Sequence, residues 1–133
     1  PSEDAEQRDV TVNALFYSLR SKQIEDWTCR RIKDLAAGCL VTPLNPVRTF
    51  RNDPLRVLRA IRFAVRYNFS LDPAWEQTAM MLEIHKALHL KVSGERVGKE
   101  LDAMLSGKSA LSRIKFVVSV LSVSSIASSI VAF

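Results

Sequence analysis

A chain of 133 residues that is 47% hydrophobic has the material for one core and is not an intrinsically disordered segment. Its formal charge of +5 and pI near 9.6 favour polyanionic partners, whether nucleic acid, free nucleotides or an acidic membrane surface. Its two cysteines, Cys29 and Cys39, fit no zinc spacing and, as lone thiols, suit a reducing intracellular compartment.

The chain opens on Pro1-Ser2-Glu3-Asp4 with no initiator methionine or leader, so the expectation is an interior piece of a longer protein. From Asp9 to Ser18, Val10, Ala14 and Leu15 recur at i, i+4 and i+5, which predicts a short helix. Gln23 to Trp27 is a candidate strand. Ile32 to Ala37 reads as a helical turn stopped by Gly38. Cys39 to Thr42 is apolar and β-prone, and Pro43 ends it. Pro43 to Arg51 holds two prolines and reads as a connection.

Beyond that point the pattern becomes helical. One helix is predicted from Pro54 to about Tyr67, with Asp53 as N-cap and proline at its first position. A second follows Asp72-Pro73 and runs to about Leu88. His85 and His89 form an i, i+4 pair on it, read as a solvated face rather than a metal site. A third runs from Ser93 to Leu105, with Val97, Leu101, Met104 and Leu105 at i, i+4, i+7 and i+8, and Gly107 placed to end it. Residues 116–133 carry no charge and six serines. They are long enough to span a bilayer, but the serines and the missing basic flank favour an atypical apolar, Ser-rich tail, so a membrane partner is not expected. The fold class expected is α+β but mostly α: the end of an α+β unit over 1–48, a helical unit over 49–115, and the tail.

Arginine recurs at every third residue in Arg56, Arg59 and Arg62. At roughly 100° per residue the three occupy one stripe about 120° wide. Arg66 falls inside it, while Val57, Leu58, Ile61, Ala64 and Val65 cover the core-facing side. On charge alone this is a solvated basic face. The pairing of Asp53 with Arg56, neighbours at i, i+3, adds chemistry. A carboxylate accepts and a guanidinium only donates. The Watson–Crick edges of cytosine and adenine both set an amino donor beside a ring-nitrogen acceptor; uracil and guanine reverse that order. An Asp–Arg pair in one plane therefore accepts C and A and mismatches U and G. Further arginines can grip triphosphate oxygens.

With those residues in view, the segment from Asp53 to Arg62 resembles the base-reading motif of class II tRNA nucleotidyltransferases (CCA-adding enzymes) and bacterial-type poly(A) polymerases. Arg8-Asp9-Val10-Thr11-Val12-Asn13-Ala14-Leu15 resembles their Arg-Arg-Asp-x-x-x-Asn-Ala-Leu motif. Glu25-Asp26-Trp27-Thr28 with Asp34-Leu35 resembles their flexible-loop motif, and Ser93 to Val97 with Glu100-Leu101 the helical motif that braces the neck. The four stand in the family's order over roughly residues 1 to 115. The resemblance implies the C-terminal part of a nucleotidyltransferase head over 1–48 and a nucleotide-selecting, RNA-binding helical neck over 49–115.

The resemblance also implies roles. Asp53 and Arg56 would read the base edge of incoming CTP or ATP, with Arg59 and Arg62 on the triphosphate. Arg8 would contact phosphates, Asp9 the ribose hydroxyls, and Asn13 would support that turn. Asp26 would belong to the loop that helps switch from C to A addition. Glu95, Arg96 and Glu100 would brace the arginine helix. The implied partners are tRNA, ATP and CTP, with no protein partner inferred.

This chain departs from the family at Gln7, where a second arginine is usual, and at Asn52, where an acid is usual. It also departs at Cys29 and Arg31, where the loop normally carries glycine. The family's catalytic strand, with the two aspartates that hold Mg²⁺, lies upstream of Arg8. No catalytic or metal-ligating residue is therefore expected within this chain, and the piece is expected to be inactive alone. A poly(A) polymerase or A-adding relative is the alternative within the enzyme class; a non-catalytic RNA-binding module is the alternative from another.

Overall fold

A computed structural model describes residues 2–27 and 29–106, and it is mostly helical with a few short strands, the class expected. Helix α1 spans Ser2–Glu6. A 3₁₀ turn at Thr11–Ala14 leads into strand β1, Phe16–Ser18, which pairs antiparallel with β2, Gln23–Glu25. Helix α2 (Arg31–Ala37), strand β3 (Cys39–Leu40) and helix α3 (Pro46–Asn52) follow. Helix α4 covers Arg56–Tyr67, strand β4 Ser70–Leu71, and helices α5, α6 and α7 span Pro73–Ala79, Leu82–Lys91 and Gly94–Leu105.

Four expectations are corrected. The helix expected from Asp9 to Ser18 shrinks to a single 3₁₀ turn. Val10 is extended at φ −136°, ψ 152°, and the Thr11 amide is drawn away to the Val41 carbonyl at 2.8 Å. The aromatic pair Phe16-Tyr17 then goes to the hairpin, with Tyr17 opposite Ile24.

The presumed connection over Pro43 to Arg51 contains α3. The Asn45 side chain accepts from the Val47 amide at 2.9 Å and Pro46 takes the first turn, where its missing N–H costs nothing. This helix buries Phe50, edge-on to the Trp75 ring at 5.8 Å between centroids. Full burial of side chains of that size stabilises by roughly 1.5–3 kcal/mol each.

The helix after Asp72-Pro73 breaks at Met80-Met81, where Met81 is extended at φ −67°, ψ 131°. His85 sits at the break. Its Nε2 meets the Ala79 carbonyl at 2.6 Å and it is only 3% exposed, so the solvated His pair is half wrong: His89 is exposed and His85 is core.

The helical half also supplies a strand that was not foreseen. β4 pairs in parallel with β3, Cys39 opposite Ser70 and Leu40 opposite Leu71, and so ties the two halves together. Gly38 closes α2 in the left-handed region at φ 61°, as its position predicted.

The core is built on α4. Val57, Leu58, Ala60, Ile61 and Ala64 are buried, as the arginine-free face required, and α7 packs against them through Val97, Leu101 and Met104. Ser93 caps α7 by accepting from the Arg96 amide at 3.3 Å. The expected start of α4 at Pro54 shifts by two residues: Asp53 accepts from the Leu55 amide at 3.2 Å in a tight turn at Asp53-Pro54, and the helix proper begins at Arg56 after Leu55. Gly107 and the tail at 116–133 lie outside the described residues. Among the described residues no helix is long and apolar enough to cross a membrane.

Candidate nucleotide-binding site

The turn after α1, the start of α4 and the first turn of α7 meet around one polar cleft of about 220 Å³. It is lined by Gln7, Arg8, Asp9, Asn13, Asp53, Arg56, Arg59 and Arg96. Residues from three separate motifs thus converge.

Asp9 anchors the cleft floor. It is 5% exposed, and its Oδ1 accepts from the Val10 amide at 3.0 Å and from Asn13 Nδ2 at 3.1 Å. Its Oδ2 accepts from Arg59 Nε at 2.7 Å. Burial alone would push its carboxyl pKa up; the hydrogen bonds from Asn13 and Arg59, the Arg59 charge and the Val10 amide outweigh that and hold it below 3.8. Burial works the opposite way on Arg59, but Asp9, Glu100 and Asp53 together raise its pKa further.

The expected ribose contact of Asp9 therefore competes with three protein donors. Arg59 reaches the cleft with one edge of its guanidinium already committed, and its Nη1 lies 3.9 Å from Glu100. Asp53 is likewise engaged: besides the Leu55 amide, it accepts from Arg96 Nη2 at 3.0 Å. Arg56 is different. Among the described residues its side chain makes no hydrogen bond or ion pair, and it faces the cleft beside Asp53. Arg8 is exposed, paired to Asp4 at 2.9 Å and lying 5.9 Å from the Phe16 ring centroid.

Other expected site residues lie away from the cleft lining. Arg62 donates from Nε to Glu100 at 2.6 Å and lies 4.5 Å from the Phe63 centroid. The 60° drift per three residues has turned it toward α7, so it staples α4 to α7. Glu100 is the α7 acceptor in that contact. Glu95 does not meet α4; its ion pair is with Lys99 on its own helix at 3.1 Å. Arg96, expected as a brace, ties α7 to the approach to α4 through Asp53 and also walls the cleft.

Asp26 holds the entry to α2 by accepting from the Ile32 amide at 3.1 Å. Next to it, Arg31 is fully buried. Its guanidinium donates to the Ala14 carbonyl at 2.6 Å and its Nε lies 3.9 Å from Asp26. Asp34 is buried and accepts from Thr11 Oγ1 at 2.7 Å. These two links between the loop segment and the 3₁₀ turn carry no local pattern that a sequence would reveal.

Cys29 adopts φ 56°, in the left-handed region that costs a residue with a Cβ roughly 1–2 kcal/mol. Glycine is at ease there, so Cys29→Gly is expected to stabilise the chain by about 0.5–1 kcal/mol after its greater unfolded-state entropy is offset. Thermal denaturation of the two proteins checks this; an unchanged or lower midpoint contradicts it.

The two carboxylates lining the cleft, Asp9 and Asp53, are each held by an arginine, and no cluster of three or more potential ligands stands among the described residues. This donor set does not fit a Mg²⁺ site.

Comparison with known proteins agrees with the geometry. Residues 1–41 match the Poly A polymerase head domain. The chain is 49% identical over 107 residues to the tRNA nucleotidyltransferase cca2 of Schizosaccharomyces pombe, covering 80% of this chain and 22% of that protein. It is 45% identical over 117 residues to the mitochondrial CCA tRNA nucleotidyltransferase of Saccharomyces cerevisiae, covering 88% of this chain and 21% of that one. Its fold superposes on the Bacillus stearothermophilus CCA-adding enzyme in complex with CTP with a TM-score of 0.77 and 27% identity, over 89% of this chain and 29% of the other. The chain thus spans about a fifth of the curated relatives it matches. The head-domain match, the similar relatives and the shared fold place this chain in the class II tRNA nucleotidyltransferase and poly(A) polymerase family.

Proposed function

We propose that this chain supplies the nucleotide-reading and RNA-gripping face of a nucleotidyltransferase that adds C and A to tRNA 3′ ends. One observation carries the reading: a polar cleft in which Asp53 and an uncommitted Arg56 stand side by side, ringed by Arg8, Arg59 and Arg96. An acceptor next to a donor is complementary to the amino and ring-nitrogen edge shared by cytosine and adenine. The surrounding guanidiniums suit the triphosphate and the RNA backbone. Proteins with tRNA nucleotidyltransferase names align across most of this chain, and the solved neighbour holds CTP, which supports the substrate class.

Transfer itself needs metal-held carboxylates that activate the primer 3′-hydroxyl, and the cleft offers none free. The chain by itself therefore binds and does not transfer. A titration with tRNA lacking its CCA end should give an affinity that falls steeply as salt rises, because arginine–phosphate contacts release counterions. With labelled CTP, ATP and Mg²⁺ added, no label should enter the RNA. An affinity that is flat with salt would refute the RNA-gripping face, and incorporation above background would refute the inactivity of the chain.

A further inference from the structure

Asn13 borders a second cavity as well as the polar cleft. This one, of about 280 Å³, is walled by Val12, Leu35, Phe63, Tyr67 and Phe69. Phe63 and Tyr67 are stacked, with planes 12° apart and centroids at 6.2 Å, and Phe69 leans on Tyr67 at 5.9 Å. Tyr67 is 52% exposed, so an aromatic face borders solvent at the mouth.

Cations flank these rings. The Arg62 guanidinium lies 4.5 Å from the Phe63 centroid and that of Arg66 5.9 Å from the Tyr67 centroid. Glu100 takes up the Arg62 charge, whereas Arg66 has no ion pair with any described residue.

Apolar flat walls with a cation against one of their rings and no ion pair on it select for a particular guest. A free anion gains nothing from the walls, and a hydrocarbon gains nothing from Arg66. A planar ring tethered to a phosphate gains from both, since stacking uses the π-face of any base and the guanidinium meets its backbone. From this we infer that the pocket seats an unpaired base of an RNA strand lying next to the nucleotide in the polar cleft, with its phosphate toward Arg66. The inference rests on the RNA-gripping reading above. It differs in chemistry, because stacking reads no base edge and so tolerates any base, whereas Asp53 and Arg56 discriminate.

The test uses this chain and a short single-stranded RNA ending in 2-aminopurine, whose fluorescence falls when it stacks. No nucleoside triphosphate is present, so the outcome is independent of base-edge reading. Binding should quench the probe. Tyr67→Leu keeps apolar bulk but removes the ring at a half-exposed position; it should abolish most of the quench and weaken binding roughly five- to hundredfold. Tyr67→Phe should restore both. An RNA of equal length with an abasic 3′ position should bind the unaltered chain as weakly as the base-bearing RNA binds Tyr67→Leu. Salt-dependent binding without a quench, or equal affinity for the abasic RNA, overturns the pocket and leaves the RNA-gripping face standing. Failure of both RNAs to bind overturns both.

Discussion

Arg59→Ala should destabilise the chain by about 2–3 kcal/mol, and the loss should shrink as the solution is acidified. Removing one partner of a buried ion pair costs about 3–5 kcal/mol, because the other charge is left in a poor solvent. Asp9 is that other charge, 5% exposed and 2.7 Å from Arg59 Nε. The Arg59 side chain is 35% exposed, so its removal lets water reach Asp9 and lowers the cost. The sign with pH follows from the carboxyl. In the intact chain its folded pKa lies below 3.8, so its contribution is present above the unfolded value and is lost as pH falls through the folded one. Without Arg59, burial still raises the pKa while only Asn13 and Val10 lower it, so Asp9 takes up its proton at a higher pH in the variant than in the intact chain. Urea titrations of both proteins from about pH 7 to about pH 2 measure this. A stability difference that does not change with pH would mean the pair is not what holds Asp9.

That ion pair also shows where the sequence stops being informative. Arg59 and Asp9 are fifty positions apart, and no spacing rule joins them. The arginine stripe itself was legible, because a helix of 3.6 residues per turn turns a repeat into a face. So was the packing of α7, whose apolar residues recur at helical spacing. The cleft was half legible. Its members were found motif by motif, but nothing local showed that Arg62 would turn to Glu100 or that Arg96 would both hold Asp53 and wall the cleft. Each outcome depends on the azimuth at which α7 meets α4, a tertiary quantity. The missed helix α3 had a signal, Asn45 followed by Pro46, that reads equally as a turn and as a cap. The missed β4 had none: two residues form a strand there only because Cys39 and Leu40 offer the partner edge. The Met80-Met81 break needed knowledge that His85 is buried, which its own neighbours in sequence do not disclose.

Base choice should depend on Asp53 and Arg56 together. In competition binding to this chain, CTP and ATP should displace a bound fluorescent nucleotide well below the concentrations needed of UTP and GTP. Asp53→Ala removes the acceptor for the exocyclic amine, and Arg56→Ala the donor to the ring nitrogen. Each should cost about 1–3 kcal/mol of discrimination, or roughly tenfold to a hundredfold. Arg56 makes no hydrogen bond or ion pair among the described residues, so its effect on stability should be small. Asp53 is harder to interpret. Its Oδ1 caps the Leu55 amide and its Oδ2 holds Arg96, so Asp53→Ala also removes a cap worth about 1 kcal/mol and frees a wall of the cleft. Asp53→Asn separates these roles. Asparagine caps as well as aspartate, but it carries no charge for Arg96 and can present a donor where the carboxylate only accepts. The expected result is that Asp53→Asn keeps near-normal stability and loses the preference for C and A. If it keeps that preference while Asp53→Ala loses both binding and stability, Asp53 is a structural cap and the base is read elsewhere.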